Sequence, residues 1–448
     1  MKLINTAHVM LWGTRIGVVN WDEERAIGRF EYDPDFLEAH GIEVAPFMMV
    51  KRKGVFSFPQ ISRDTFKGLP GFLADSLPDK FGNVIIRSWL ARQGILPSEF
   101  SPVANLCQVG TRGMGALEFS PQADQDLSSD DQPIEVQQMV ELASSILAQR
   151  GSAHEKLVAD HDKENQRALS RLIQIGTSAG GARAKILLAI NEETGEVRSG
   201  QLDWGSKFKH YLMKLDGVSE NGDRDLVDPG GFGKIEYAYY QMATDCKIEM
   251  SKCRLFKENG RHHFLTERFD RRKGQKIHMQ SLCALRHFDF NIPGAHGYEQ
   301  LMETIRMIVK HRQNQTLEQM YRRAVFNVVA RNQDDHTKNF AFLMDRKGQW
   351  SLSPAFDVTY SYRKDSPWVS RHQMTVNGKR DDFSLEDFIA LGMHANLTEG
   401  RAISILKEIV SVVENVRSYL ENNDVKPEFV DEIENNVRLD FQWSSFTG

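Results

Sequence analysis

The spacing of apolar residues along the chain changes from one end to the other. Ala7–Val19 reads as a strand pair turning at Gly13, and Gly28–Tyr32 as a further strand. Val84–Gln93 has helical spacing with Gly94 as its stop, and Gly110–Ser120 is Gly-rich, then strand-like. In Val136–Gln149 the apolar residues Met139, Leu142, Ala143 and Ile146 fall on one helical face. Strands are predicted at Lys185–Ile190 and Tyr211–Leu215, and a helix at Lys234–Cys246. Lys252–Phe256 and His262–Phe269 read as a hairpin closed by Lys257–Gly260. Beyond Arg286 the spacing is mainly helical, at Tyr298–Lys310, Leu317–Ala330, Leu385–Leu391 and Arg401–Glu421. One hairpin interrupts it, Phe340–Met344 with Trp350–Leu352.

By analogy of element order, which proves nothing alone and leaves the sites to carry the argument, the expectation is an α+β, two-lobed protein-kinase-like fold. It has a mixed α/β N-terminal part with a β-rich subdomain in front, and a mainly helical C-terminal lobe. The polar stretch Gln122–Ile134 (QADQDLSSDDQPI) suits an exposed linker. The expected divisions are 1–121, an interaction or scaffolding unit; 122–136, the linker; 137–285, an ATP-binding region; and 286–448, the helical lobe. The length of 448 residues fits two or three domains, and 41% hydrophobic with 26% charged residues suits a large core. A formal charge of −5 argues against non-specific phosphate binding as the main activity. The four cysteines make no zinc-ligand spacing and are expected to be reduced core residues. No apolar run suits a membrane span or a secretory leader, so a cytoplasmic protein without membrane contact is expected.

The candidate chemistry lies in five places. Asp334 and Asn339, in Arg331–Asn339 (RNQDDHTKN), have the D-x-x-x-x-N spacing of a kinase catalytic loop. There the Asp accepts the substrate hydroxyl proton and the Asn holds magnesium. The His-Arg pair usual before that Asp is absent, and a polar loop of this kind is also ordinary turn chemistry. Asp357 follows Asn339 by 18 residues in an otherwise apolar run, where a second Mg²⁺-binding anion is required. Gly176–Lys185 (GTSAGGARAK) precedes a strand and is neither a Walker A loop nor the usual kinase Gly-rich loop. Its glycines would let backbone N–H groups approach phosphates, and its Ser178 is a candidate phosphorylation target. Lys214, in an apolar strand, suits phosphate pairing or an edge gatekeeper. Leu265–Arg272 suits either an adenine-reading hinge or a linker with solvated charges.

Taken in order, Ser178–Lys185 (SAGGARAK), Lys214, Glu267–Arg272 (ERFDRR), Asp334–Asn339 (DDHTKN) and Phe356-Asp357 resemble the HipA family. These are serine/threonine kinase toxins of bacterial type II toxin–antitoxin modules. Leu73–Asp79 (LADSLPD) and Val109–Ala116 (VGTRGMGA) are similar to that family's N-terminal domain. The resemblance implies Asp334 as catalytic base and Asn339 with Asp357 as Mg²⁺ ligands. ATP would be held by Lys214, Glu267 and Phe269, with Gly180, Gly181, Ala182, Lys185, His336 and Lys338. It implies autophosphorylation at Ser178 as an off-switch and an aminoacyl-tRNA synthetase as substrate, so that growth arrests. A HipB-like helix-turn-helix antitoxin would be the partner, with DNA reached mainly through it. Asn377–Arg380 is an N-G turn whose Lys379 and Arg380 could touch DNA phosphates, or simply be a solvated tip. Two other readings stay open: a catalytically weak, ATP-binding co-repressor, and a metal hydrolase using Asp334, His336 and Asp357. The hydrolase reading leaves Lys214 and the Gly-rich loop unexplained.

Overall fold

The computed structural model describes residues 4–38, 41–92, 94, 96, 100–121, 134–148, 172, 183–218 and 230–441. The chain forms two compact units. The first comprises Met1–Gly230, Arg254–Gln280 and Arg346–Gly348; the second comprises Gly231–Cys253, Ser281–Asp345 and Gln349–Gly448. The α+β class expected from the sequence is the one observed.

In the first unit, one five-stranded antiparallel sheet runs Val55–Phe56, Ile27–Tyr32, Thr14–Asp22, Thr6–Leu11, Leu117–Ser120. Leu11 faces Thr14 across a two-residue turn in which Trp12 and Gly13 both have positive φ (50° and 83°). Such turns match the right-handed twist of the strands they join. Trp12 is held in that conformation by a 2.9 Å bond from its indole Nε1 to the Lys276 carbonyl.

A second five-stranded sheet in the same unit runs Val197–Ser199, Lys185–Asn191, Phe208–Lys214, Arg261–Glu267, Cys253–Glu258. Every residue of Lys185–Asn191 is buried, as befits a strand covered on both faces. Its apolar side chains Ile186 and Leu188 share a core with Phe81 and Ile85 of helix Lys80–Arg92 and with Met139 and Val140 of helix Val136–Ala148. Helix Lys80–Arg92 begins earlier than its apolar spacing indicated. Asp79 precedes it and accepts the Gly82 backbone N–H, an N-cap bond.

The second unit is built around helix Gln313–Val329, of which Leu317, Tyr321, Val325 and Phe326 are fully buried. Around it stand helices Phe232–Asp245, Tyr298–Ile308, Leu385–His394, Glu399–Val413, Val416–Glu421 and Pro427–Asn436. The single helix expected over Arg401–Glu421 is instead two. Asn415 lies at the break and donates from Nδ2 to the Ser411 carbonyl at 2.9 Å, a local bond that competes with continued helix. The strands Ala341–Met344 and Trp350–Leu352 pair as expected. All four cysteines are buried and free. Among the described residues, no helix is long and apolar enough to cross a membrane.

Candidate functional site

Helix Gln313–Val329 ends where Arg331 takes a left-handed φ of 57°. The chain then runs without helix or strand through Asn332–His336 and makes one short 3-10 turn, Thr337–Asn339, before the hairpin. This is the loop that carries the D-x-x-x-x-N spacing. Asn339 Nδ2 donates to the Asp334 carbonyl at 2.7 Å, closing the segment on itself. With its amide nitrogen so used, Asn339 offers its side-chain oxygen to a ligand.

The two adjacent aspartates have opposite surroundings. The Asp334 side chain is 24% exposed, with His336 Nε2 at 3.8 Å from Oδ1. The Asp335 side chain is completely buried. Asp335 accepts from Tyr298 Oη at 2.7 Å and from the Gln373 backbone N–H at 2.7 Å, and lies 2.9 Å from His372 Nδ1. Burial alone would raise its pKa, but His372, Tyr298 and the Gln373 amide outweigh it and hold the carboxyl below its usual value. A carboxylate so buried is shut off from solvent, and Asp334 is the more accessible member of the pair.

Asp357 reaches the same region from the other direction. The Ala355 N–H donates to the Glu249 carbonyl at 2.8 Å and fixes the segment before it. Asp357 itself has φ 57°, a left-handed backbone that is uncommon for a residue with a side chain and clusters at functional sites. Asp357 and Asn339 line one pocket with Asp335, Asn327, Asn332 and Arg323. One carboxylate and one amide oxygen suit Mg²⁺, which keeps several of its waters and takes few protein ligands. Among the described residues, no group of three or more His, Cys, Asp or Glu side chains is arranged to hold a metal, so an ion here would depend on such a sparse set. His336 lies against Phe290, with ring centroids 5.2 Å apart, and Lys338 Nζ stands 5.1 Å from the same ring's centroid.

The first unit carries the other candidates. Lys185 and Lys214 sit directly opposite each other on neighbouring antiparallel strands. Like charges so placed repel. Lys185 is compensated by Asp79, with Nζ 3.7 Å from Oδ2 and both side chains only 3% exposed. Lys214 is half-buried, its Nζ 5.9 Å from the centroid of Phe264, the residue opposite it on the next strand. Glu267 ends strand Arg261–Glu267 facing Tyr211, and both Glu267 and Phe269 are half-buried.

Of the charges that follow, Arg268 and Asp270 are buried, whereas Arg272 is exposed. Asp270 is fully buried, and Arg268 grips both of its carboxylate oxygens at 2.9 and 2.7 Å. Arg271 adds a contact at 3.2 Å, and the Gly115 N–H donates at 2.8 Å. The Gly-rich stretch near residue 115 thus supplies backbone to an ion cluster. Gly115 has φ 75°, and a Cβ there would meet the Met279 nitrogen at 3.0 Å.

Ser178, Gly180, Gly181 and Ala182 lie outside the described residues. At Asn377–Arg380 the N-G turn forms, with φ of 50° and 76° at its two central residues. Its charges are engaged: Lys379 Nζ is 2.8 Å from Asp387 Oδ2, and Arg380 Nε donates to the His372 carbonyl at 2.6 Å. The Asp335, Asp270 and Asp79 contacts were not anticipated from sequence. A second Asp in DDHTKN and the LADSLPD string were their available signals, but neither names a partner.

Comparison with known proteins places this α+β chain in a family. A family model for the HipA-like C-terminal domain matches residues 177–416, and one for the HipA N-terminal domain matches residues 7–120. The chain belongs to the HipA family, the toxin family that its motifs resemble. No curated protein matches it. Among solved structures it is similar to HipA of Shewanella oneidensis MR-1, determined with HipB and its operator DNA. Identity is 16% and the TM-score 0.63, over 96% of this chain and 95% of that one. That is a likeness of fold. The Helicobacter pylori proinflammatory kinase CtkA matches with 11% identity and a TM-score of 0.33, over 51% of this chain and 88% of that one.

Proposed function

We propose that this chain is a serine/threonine protein kinase that uses Mg-ATP and acts as the toxin of a HipBA-like module. The observation that carries the reading is the pocket shared by Asn339 and Asp357, beside a half-buried Asp334 whose carbonyl is tied to Asn339. In this reading Asp334 accepts the proton of a substrate serine hydroxyl as that oxygen attacks the γ-phosphorus. The bond from γ-phosphorus to the bridging oxygen breaks, and ADP leaves with that electron pair. Asn339 and Asp357 would hold Mg²⁺, which when bound neutralises charge on the phosphates. Lys214 would contact the phosphates, with Lys185, His336, Lys338, Gly180, Gly181 and Ala182 as further nucleotide-binding residues, and Glu267 with Phe269 would lie at the adenine.

The same reading takes the N-terminal 1–121 region as an interaction unit and a HipB-like antitoxin as partner. DNA would be reached mainly through that partner, with Lys379 and Arg380 as backbone contacts. A synthetase involved in translation would be the substrate, and Ser178 the autophosphorylated off-switch. The test is transfer from labelled Mg-ATP, alone and with a bacterial lysate, beside Asp334→Asn, with the labelled site mapped by mass spectrometry. Label on Ser178 or a lysate protein, lost in the variant, is the expected result. ATP binding without transfer, on a chain whose Ser178 is unmodified, would overturn the kinase reading in favour of an ATP-binding co-repressor.

A further inference from the structure

The loop from Asn332 to His336 has no helical or sheet ladder to fix it, yet a general base needs one orientation. What holds the loop is a chain of buried side-chain bonds. Asn332 Nδ2 donates to Asn327 Oδ1 at 2.9 Å, and Asn327 Nδ2 donates to the Tyr298 hydroxyl oxygen at 2.9 Å. Tyr298 then donates to Asp335, which His372 and the Gln373 amide grip from the other side. The run ties Asn332 of the loop to Asn327 on helix Gln313–Val329, passes through the first residue of helix Tyr298–Ile308, and returns to the loop at the residue next to Asp334.

We propose that Asp335 is a positioning residue for the reaction. Clamped by Tyr298 and His372, it fixes the backbone at 334–335, and so aims the Asp334 carboxylate and sets the Asp334 carbonyl that Asn339 binds. The inference rests on the kinase reading and adds to it why two aspartates stand together: one reacts, and its neighbour is the anchor. Tyr298→Phe removes one donor without opening a cavity, and Asp335→Asn keeps the volume but removes the charge.

Both variants are compared with the wild-type chain in steady-state transfer from Mg-ATP, with rates normalised to the stoichiometry of bound nucleotide. The expected result is a fall in kcat of about 10- to 100-fold, with KM for Mg-ATP changed by less than about two-fold. On an Asp334→Asn background, Tyr298→Phe should lower the residual rate no further, because the clamp acts through Asp334. Variants that keep the wild-type kcat, or a Tyr298→Phe effect of equal size on both backgrounds, would overturn the clamp and leave the kinase reading intact. A wild-type chain that binds nucleotide and transfers nothing would refute the kinase reading, and the clamp with it.

Discussion

Replacing Asp270 by Asn should destabilise the first unit far more than a typical point change. The carboxylate is fully buried, held by Arg268 through both oxygens, by Arg271, and by the Gly115 amide. An Asn of the same size keeps one acceptor but turns an N–H₂ donor toward a guanidinium and leaves two buried cations without an anion. Removing one partner of a buried ion pair costs about 3–5 kcal/mol. At an m-value of about 3 kcal/mol per molar urea, that lowers the unfolding midpoint by more than about 1 M. Burial alone would raise the Asp270 pKa, but Arg268 and Arg271 outweigh it and hold it far below the usual carboxylate value. The contribution is therefore complete above about pH 4 and is lost as acid titrates through the lower, folded value. Urea unfolding followed together with hydrogen exchange at the Gly115 amide reads both effects. A companion variant, Arg268→Met/Asp270→Leu/Arg271→Met, removes the charges as a set and should be less destabilised than Asp270→Asn. A midpoint shift worth under about 1 kcal/mol in Asp270→Asn, with Gly115 exchange unchanged, would refute the account.

Asp357→Gly should abolish transfer while leaving stability unchanged or raising it by up to about 1 kcal/mol, since φ 57° strains a residue with a side chain and not glycine; paired transfer and thermal-unfolding assays check this, and a clear loss of stability would contradict it. His278, fully buried, has its pKa pushed down to about 3 by burial. The unfolded chain therefore takes up the proton first, and stability should fall by about 1.4 kcal/mol for each pH unit below about 6.5, until the folded value is reached. His278→Asn should flatten that slope in urea unfolding across the pH range, and an unchanged slope would remove His278 as its source. Burial pushes the Cys107 and Cys246 thiols up to about 12, so a disulfide reagent at pH 8 should label them slowly in the native chain and quickly in urea; fast native labelling would contradict their burial.

The longer strands of both sheets and helices such as Tyr298–Ile308 and Gln313–Val329 were legible because each has its own period over enough residues to count, whereas strands Val55–Phe56 and Val197–Ser199 and helix Pro427–Asn436 were not predicted. Helices Pro34–Glu38, Arg63–Phe66, Gly71–Ala74 and Leu282–Arg286 were not, being too short to complete two turns. Helix Pro102–Val109 did carry a readable start, Ser101 as cap and Pro102 in its first turn, but few residues to follow it.

The sequence by itself determined the chemistry available: the D-x-x-x-x-N loop, the aspartate 18 residues on, the lysines in strands, and with them the family. Its spacing pointed to Asp334 as the candidate base, but it gave no sign of what surrounds either Asp334 or its neighbour Asp335. The tertiary structure decided those surroundings, by bringing Tyr298 and His372, each 37 residues from Asp335 along the chain, to the second carboxylate and leaving the first half-buried. It likewise decided that Arg268 and Asp270 are buried, since Gly115 lies 155 residues from the Asp270 it binds. Local pattern fixes what a segment can form and what its side chains can do. Burial and hydrogen-bond partners come from residues distant in sequence, and these set the charge state and orientation on which the chemistry depends.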